Sequence, residues 1–363
     1  MNQPHERPPT SMRILMVTPN LPPITCGVAD HTIKLGRAMI QQGAQVVVLG
    51  KHWRDPSPDM PKEFQAFLRW DGSIGSLMKI VSEGDFHWIW LQITPYAFSP
   101  RFGAPAKLIL GLYRIRRRHP TLRIATCIHE THYLPEWLGK FKHIISFLQE
   151  TAFTVLTGLS DLVIPSARLW EEYCRVCYHV PEDRNRYLPI AANIPHLQPD
   201  PGTRARMRQE WGLQPNQKAA IAFGLWRSQM AALQRLQPSL TRALQDGTLA
   251  RIILVGGGQE PRPEAMDRIL DEFPWKNKVT VLGPQAEDQI AKTIAACDVG
   301  LVPTSHRFWE KSGAALAFVQ AGLTLWVFDE KQEIRIESGK NFQPLSWSEL
   351  ATKALAWMHE LKG

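Results

Sequence analysis

The chain alternates short runs of continuous apolar residues with longer amphipathic stretches, and this alternation constrains its fold more than any other feature. Runs that are apolar along their whole length indicate strands buried on both faces, and the amphipathic stretches between them indicate helices. Parallel strands joined by covering helices satisfy both signals, so the sequence predicts an α/β protein. In the first half, a helix is predicted at residues 30–42 and strands at 13–18, 45–49, 88–92, 123–128 and 161–164.

The alternation stops near Asn193 and then starts again, which divides the chain. Prolines at positions 195, 199, 201 and 215 break up a polar stretch there. Beyond it, strands are predicted at 218–223, 251–255, 278–282 and 299–302. Because 363 residues exceed what one hydrophobic core usually serves, two domains are expected. We predict a disordered tail at 1–11, domains at 12–192 and 193–346, and a helix at 347–363 that crosses back to the first domain.

Charge and cysteine content narrow the partners and the compartment. Lys and Arg outnumber Asp and Glu by 42 to 34, and the net charge of +8 favours phosphate-bearing partners. Five scattered cysteines suggest no disulfide framework, and no stretch reaches the roughly 18 apolar residues that a membrane-spanning helix needs. The polar, proline-rich start lacks the apolar core of a secretory signal, so we expect a cytoplasmic protein.

A basic run follows an apolar stretch in the first half. Arg114, Arg116, Arg117 and Arg118 come directly after residues 108–113, which include four aliphatic side chains and a tyrosine. On a helix, these residues could lie against an anionic membrane, which would place the protein at the inner face of that membrane. The alternative is a buried helix whose arginines are solvated near the negative end of its dipole.

Residues that follow the strands are the first candidates for a site, because ligands of parallel sheets bind beyond the carboxyl ends of the strands. Gly27 precedes the first helix, where a missing side chain would let backbone amides approach a ligand; the alternative is a tight turn that needs glycine. His129 opens the polar cluster HETHY, where an imidazole could hydrogen-bond a sugar hydroxyl or a phosphate. His129 and His132 are poorly spaced for chelation and no third ligand is evident, so no metal site is predicted.

A glycine and an arginine follow the first predicted strand of the second half. After Gly224, Arg227 could offer its planar guanidinium to a diphosphate, and the alternative is an ordinary surface arginine. The glycines at 256–258 follow another strand but lack the dinucleotide-binding fingerprint, so a loop is predicted there.

A second candidate in this half is the start of a helix rich in small residues. Ser312, Gly313 and Ala314 would present free N–H groups and the positive end of the helix dipole to a diphosphate. The alternative, which is compatible with the first, is that the small residues serve close packing on the sheet.

Taken in order, many short segments resemble the two-domain GT-B glycosyltransferases, specifically the large retaining family-four type (glycosyl transferases group 1). GVADHT stands where that family often has a GVGDYT-like stretch, and LQITPYAF, the strand-ending His129 and Glu130, DLVIPSARL and IAANIP follow in the expected order. The second half continues with AFGLWR, IILVGGG, VTVLGP, ACDVGLVP and a helix ending in QAGL. The resemblance covers most of the chain.

The resemblance implies two Rossmann-like domains whose parallel sheets face a central cleft. It implies a hexosyltransferase that moves a hexose from a nucleoside diphosphate sugar to a glycan or lipid-linked acceptor, in exopolysaccharide, lipopolysaccharide or glycolipid synthesis, without a cofactor. The donor diphosphate is expected at Gly224, Arg227, Ser312, Gly313 and Ala314. Glu310 would orient the donor sugar, while His129 and Gly27 would line the sugar and acceptor side.

Two positions depart from the family pattern. The family usually has two glutamates seven residues apart; Glu310 stands near the first, and the second falls at Ala317 or Phe318. Met230 stands near the lysine that commonly contacts the diphosphate, and Arg227 is the nearest replacement. The chain also lacks any Asp-x-Asp pair, so positive charge and helix starts would hold the diphosphate without a metal.

These departures leave a second hypothesis, a catalytically inactive GT-B protein that serves as a partner or scaffold in a polysaccharide synthase complex. A third, nucleic-acid binding by the basic run, lacks the interleaved aromatic residues that such surfaces use, so no nucleic-acid partner is expected.

Overall fold

The chain forms two compact units, each described separately below. The computed structural model describes residues 11–22, 24, 26–52, 61–131, 141–197, 201–258, 262–329, 332–336 and 344–361. Unit 1 consists of Met1–Pro189 together with Trp347–Gly363, and unit 2 consists of Ile190–Ser346. The division at Ile190 falls three residues before the linker predicted near Asn193. Most of the predicted tail at 1–11 lies outside the described residues.

The sheet of unit 1 has six parallel strands in the order β3-β2-β1-β4-β5-β6, which is the Rossmann order. The strands are β1 (Arg13–Asn20), β2 (Gln45–His52), β3 (Ala66–Arg69), β4 (Trp88–Ile93), β5 (Arg123–Ile128) and β6 (Leu162–Pro165). The sequence signal missed β3, because this four-residue edge strand is only partly buried and its apolar run, residues 66–68, is only three residues long.

The sheet of unit 2 repeats this strand order. It runs β12-β11-β10-β7-β8-β9. All neighbours are parallel except β11 and β12, which pair antiparallel at one edge. The strands are β7 (Ala219–Leu225), β8 (Arg251–Gly257), β9 (Val279–Gly283), β10 (Val299–Leu301), β11 (Thr324–Asp329) and β12 (Gln332–Ile336). The predicted loop at 256–258 is wrong at its first two residues, since β8 extends through Gly257.

Helices connect the strands in both units. They are α1 (Gly27–Gln41), α2 (Ile74–Gly84), α3 (Ala106–Arg118), α4 (Lys142–Leu159), α5 (Arg168–Cys177), α6 (Pro201–Glu210), α7 (Trp226–Arg235), α8 (Gln237–Gln245), α9 (Glu264–Glu272), α10 (Glu287–Ala296), α11 (Gly313–Gln320) and α12 (Trp347–Glu360). None of those in the described part of the chain combines the length and apolar character needed to cross a bilayer.

The terminal helix α12 packs on α1 within unit 1. Leu350, Ala354 and Met358 bury one of its faces completely. At the edge of the contact, Gln42 Nε2 donates to the Ser348 carbonyl at 2.8 Å. The end of the chain therefore completes the core of unit 1 rather than that of unit 2.

Each unit holds an aspartate directly before a strand, in two similar segments, SDLVIPS and CDVGLVPT; Asp161 is buried and Asp298 is partly exposed. Asp161 accepts hydrogen bonds from the Ile124 amide at 2.9 Å and from the Arg116 and Arg123 guanidinium groups at 2.9 and 3.0 Å. Asp298 does the same in unit 2, with the donors Ala219 N, Arg204 Nη2 and Arg208 Nη1, each at 2.9 Å. Each aspartate thus ties one strand start to two arginines.

Candidate functional site

The strand order of each sheet reverses at one point, and the carboxyl ends of the strands there are where open α/β sheets bind ligands. In unit 1 the reversal lies between β1 and β4, and in unit 2 it lies between β7 and β10. Gly27 follows β1, Arg227 follows β7, and Ser312 lies in the segment after β10. His129 follows β5, one strand away from the reversal.

Gly27 is the first residue of α1 and lies on the surface. A Cβ atom built on it would meet nothing within 4 Å among the described residues, and its φ is not positive. Neither a tight turn nor crowding therefore requires glycine here. The role of Gly27 in ligand binding stays a prediction.

His129 is held in a buried polar cluster at the end of β5. The residue is 9% exposed, its amide donates to the Ile93 carbonyl at 2.9 Å, and its Nε2 lies 2.7 Å from Gln92 Oε1. Cys127 Sγ lies 3.7 Å from the same nitrogen, and the His31 ring packs edge-on at 4.9 Å between centroids. This burial leaves little of the ring for direct contact with a sugar; His132 lies outside the described residues.

Two lysines, Lys51 and Lys107, lie close together near the end of β2. The sequence analysis did not predict this pair. Lys51 Nζ donates to the Phe98 carbonyl at 2.7 Å, so the ammonium is fixed at this edge of the sheet. Burial, followed by repulsion from Lys107, lowers the pKa of Lys51. Two amino groups in one neighbourhood give this edge of unit 1 a positive field that favours anionic ligands.

Arg227 lies in the first turn of α7, directly after β7. Its side chain is exposed and has neither a hydrogen-bond nor an ion-pair partner among the described residues. The N-cap residue Leu225 makes no side-chain cap, so the first amides of α7 also lack one. A guanidinium and uncapped amides therefore stand together at the strand reversal of unit 2.

The glycines near Arg227 allow close approach of the neighbouring strands β7 and β8. Gly224 has φ +128° and pairs with Gly256, where a Cβ would collide with the Gly224 carbonyl. A Cβ on Gly257 would collide with the Trp226 ring, which is buried against it. Gln229 Nε2 donates to the carbonyls of Gly224 at 2.8 Å and Val255 at 3.1 Å, and so ties both strands to α7. Gly224 thus shapes the strand end that carries Arg227.

The start of α11 is partly occupied by the protein itself. Ser312 caps the helix by accepting a hydrogen bond from the Ala315 amide at 3.3 Å. Gly313 is buried, and a Cβ there would collide with the Asn193 side chain. The backbone N–H of Asn193 donates to the Gly313 carbonyl at 3.2 Å. Gly313 is therefore small because Asn193 packs on it. The amides of Gly313 and Ala314 remain as the donors that a ligand could use.

Glu310 lies in a single 3-10 turn, Trp309–Lys311, just before Ser312. Its carboxylate is exposed and unpaired within the described ranges. Ala317 and Phe318, where the second family glutamate would fall, are both buried in the core of unit 2. Met230, near the usual lysine position, also packs against a core cluster. None of these three side chains can make the ribose or phosphate contact that the family resemblance predicts at its position.

Unit 2 brings the two predicted groups of site residues to one edge. Strands β7 and β10 are neighbours, with Val299 opposite Ala220. Arg235, at the end of α7, donates a hydrogen bond to the carbonyl of Pro303, which follows β10.

Sequence reasoning missed His31, Cys127, Gln92, Gln229 and Asn193. Gln92 stands in the quoted segment LQITPYAF, as a polar residue on an otherwise apolar strand.

Solved structures with similar folds match almost the whole chain. HepE from Anabaena, solved in complex with UDP, is 14% identical, with a TM-score of 0.59 over 96% of this chain and 90% of that chain. Sucrose-phosphate synthase from Thermosynechococcus elongatus is 15% identical, with a TM-score of 0.57 over 97% and 92%. A glycosyltransferase from Rickettsia africae ESF-5 is 10% identical, with a TM-score of 0.57 over 97% and 90%.

Sequence comparison gives shorter matches. No protein-family model matches the chain. A D-inositol 3-phosphate glycosyltransferase from Rhodococcus jostii (strain RHA1) is 29% identical over 156 residues, which are 40% of this chain and 34% of that protein. The chain thus spans about a third of the length of the curated relative it matches. Two sheets in Rossmann order and the similarity to solved glycosyltransferases along nearly the whole length together identify the architecture: the chain has the GT-B fold.

Proposed function

We propose that the protein is a glycosyltransferase that moves a hexose from a nucleoside diphosphate sugar to a hydroxyl of a glycan or lipid-linked acceptor. The observation that carries the proposal is the exposed, unpaired guanidinium of Arg227 beside uncapped amides, at the strand reversal of unit 2. The solved complexes of HepE with UDP and with UDP-glucose support the choice of donor class. Retention at the anomeric carbon and a role in polysaccharide or glycolipid synthesis are proposed from the family resemblance.

The chemistry required of the site is stabilisation of a departing diphosphate. Negative charge develops on the leaving oxygens as the sugar is transferred, and fixed hydrogen-bond donors stabilise it without reorganising. Arg227 supplies a planar, permanently charged fork, and the amides of Gly313 and Ala314 supply neutral donors. In this proposal, Glu310 accepts hydroxyl protons of the donor sugar and fixes its orientation. No divalent cation is needed at the diphosphate, in keeping with the absence of an Asp-x-Asp pair.

Binding of UDP and GDP, measured by calorimetry on the full chain, tests the donor site. Arg227→Ala should weaken binding of the preferred diphosphate about 10- to 100-fold, because a hydrogen bond to a charged group contributes about 1.5–3 kcal/mol. Arg242→Ala is the matched control, since this exposed arginine lies late in α8 and follows no strand. Equal affinity of the wild type and Arg227→Ala would remove Arg227 from the site.

The reaction itself is tested by incubating the protein with a panel of nucleotide sugars and acceptors, followed by mass spectrometry of the products. Transfer of one hexose from one donor is expected. The buried Ala317 and Phe318 favour one alternative, a GT-B protein that has lost catalysis and supports a synthase complex. Absence of binding to every diphosphate and nucleotide sugar would select that alternative.

We further propose that unit 1 contacts an anionic membrane through a face formed by α3 and α4. Every large hydrophobic side chain that is exposed within the described ranges lies between residues 102 and 176. Phe141, Ile144 and Phe147 follow one another at helical spacing in and just before α4, and Phe141 and Phe147 are 67% and 68% exposed. On α3, Leu110 and Tyr113 are exposed beside Arg114, Arg117 and Arg118.

The combination favours lipid over a protein partner, because apolar side chains can enter the acyl boundary while arginines pair with anionic headgroups. Arg116 does not belong to this face, since it donates to Asp161 and to the Leu159 carbonyl at 2.9 Å. The buried Leu108, Leu112 and Ile115 attach α3 to the core. One face of α3 is therefore buried in the core, and in this proposal the opposite face, with its exposed arginines, contacts the membrane.

Cosedimentation with vesicles tests this contact. The wild type should bind vesicles containing phosphatidylglycerol and bind phosphatidylcholine vesicles weakly. Phe147→Glu and Arg117→Glu should each reduce binding severalfold, by removing apolar burial and headgroup attraction respectively. Arg242→Glu makes the same change of charge in unit 2 and should have little effect. Binding that is equal for the wild type and Phe147→Glu would contradict the proposal.

A further inference from the structure

Three side chains with metal-binding atoms meet in the interior of unit 1. His31 lies in the second turn of α1, and Cys127 and His129 lie at the end of β5. One ligand atom from each of them lies within 4.8 Å of those from the other two, and all three residues are buried. Two imidazoles and a thiol are the donors that zinc prefers, whereas magnesium and calcium prefer oxygen.

The cluster contains polar atoms that the protein leaves unsatisfied. Within the described part of the chain, both ring nitrogens of His31 are buried without a hydrogen-bond partner, and the residue is 5% exposed. Gln92 Nε2, in the same cluster, is also buried without a partner. Buried polar groups are rarely left in this condition, since each costs about 1–3 kcal/mol. A cation that accepts a lone pair from His31 would satisfy one of these atoms.

The separation between the Cys127 and His129 ligand atoms suits tetrahedral zinc coordination. Zinc bonds of about 2.3 Å to sulfur and 2.0–2.1 Å to nitrogen place the two ligand atoms about 3.6 Å apart. Cys127 Sγ and His129 Nε2 are 3.7 Å apart. Gln92 Oε1 lies 2.7 Å from the same nitrogen, so a bound zinc ion would replace that hydrogen bond and the Gln92 amide would turn aside.

We propose that His31, Cys127 and His129 bind one zinc ion inside unit 1. The ion would fasten the first half of α1 to the end of β5, and the Trp347 ring, 5.2 Å from the His31 ring, would cover it from α12. This site needs neither the donor nor the acceptor of the proposed transferase reaction. It also differs from a divalent ion at a diphosphate, since its ligands are imidazoles and a thiolate.

Zinc binds the thiolate form of cysteine, so binding involves the Cys127 proton. It forms the Zn–S bond, breaks the S–H bond and releases one proton to solvent.

Cobalt(II), a spectroscopic substitute for zinc, provides the test on the full chain after chelator treatment. One equivalent should bind and produce a thiolate-to-cobalt charge-transfer band, which one equivalent of zinc should displace. Cys127→Ser should abolish the band, and His31→Phe should weaken zinc affinity at least tenfold. Cys174→Ser, the matched control, removes another buried thiol of unit 1 that lies outside the cluster, and the band should persist.

Metal uptake by the wild-type protein is sufficient to test the proposal, so the test does not depend on whether the variants fold. Folded wild-type protein, verified by circular dichroism, that takes up neither metal in equilibrium dialysis would refute the site. A cobalt band that survives Cys127→Ser would place the metal elsewhere. Diphosphate binding measured on the same samples keeps this outcome separate from that of the transferase, because loss of zinc uptake leaves Arg227 in unit 2 untouched.

Discussion

Two glycines that occupy the same position in their helices have opposite surroundings. Gly27 is the first residue of α1 and Gly313 is the first residue of α11. A side chain on Gly27 would enter open space, whereas one on Gly313 would collide with Asn193. Both were predicted as ligand-binding positions on the same sequence argument. At the scale of the residue, the surroundings distinguish the two cases. The space beside Gly27 is open to a ligand, whereas the space beside Gly313 is filled by Asn193.

Alanine at these two positions should therefore have different effects on stability. Gly313→Ala should lower the free energy of unfolding by about 1–3 kcal/mol, the usual cost of inserting a methyl group into a packed site. Gly27→Ala should leave it unchanged or raise it by up to about 1 kcal/mol, because alanine is the better helix former. Urea denaturation of both variants measures the difference. Equal destabilisation would show that the Asn193 contact is not the constraint.

At the scale of the element, Asp161 and Asp298 hold the starts of strands through their hydrogen bonds. Asp161 joins the start of β6 to that of β5, because its carboxylate accepts the Ile124 amide as well as two arginines. The similar segments SDLVIPS and CDVGLVPT each carry such an aspartate, which the sequence pattern did not mark as structural. The hydrogen-bond donors of Asp161 lie 37 to 45 residues away in the chain. The sequence therefore does not show whether an acidic residue before an apolar strand has a structural role.

Removing the carboxylate of Asp161 should destabilise unit 1. Asp161→Ala leaves the Ile124 amide buried without its acceptor and two arginines without their counter-ion, and a loss of about 3 kcal/mol is expected. Asp183→Ala, at an exposed aspartate of the same unit, should change the free energy of unfolding by less than about 0.5 kcal/mol. Chemical denaturation measures both. A small effect of Asp161→Ala would mean that water replaces the carboxylate.

At the scale of the whole molecule, each unit has its own core, and the chain end belongs to the first. Each hydrophobic cluster found among the described residues keeps to one unit, the first to unit 1 and two others to unit 2. Helix α12 follows unit 2 in sequence but buries Leu350, Ala354 and Met358 within unit 1. Loss of α12 should therefore lower the stability of unit 1, although unit 2 directly precedes the helix in sequence, and should leave the stability of unit 2 unchanged.

Deletion of residues 347–363 tests this assignment. The loss of two fully buried large side chains should remove at least about 3 kcal/mol from unit 1. Amide hydrogen exchange should accelerate in α1 and stay unchanged in β7 and β8. Deletion of residues 361–363 alone is the control and should change neither. Faster exchange in unit 2 would contradict the assignment of α12.

Most strands could be predicted because each signal is local. A continuous apolar run is buried on both faces wherever it lies, so β5 was predicted with its observed bounds, and β1, β2, β4, β7 and β8 were predicted apart from one to three residues at their ends. Helix α12 was predicted from the same kind of pattern, between residues 347 and 361. Strands β3, β11 and β12 were missed. β3 lacks a continuous buried run, and β12 pairs antiparallel with β11 at the sheet edge, which the expectation of parallel strands did not include. β11 is parallel to β10 and carries the apolar run LWVF, so its signal was present in the sequence and was overlooked.

The sequence by itself determined the fold class, the division near residue 190 and the segments that follow strands, including Gly27, Arg227 and the start of α11. Only the tertiary structure decided what surrounds each of these residues. His31 and Cys127 are 96 residues apart, and Asn193 and Gly313 are 120 apart, so strand order and helix packing alone bring them together. Periodicity reports which face of an element is buried, but it carries no information about which distant side chain fills that face.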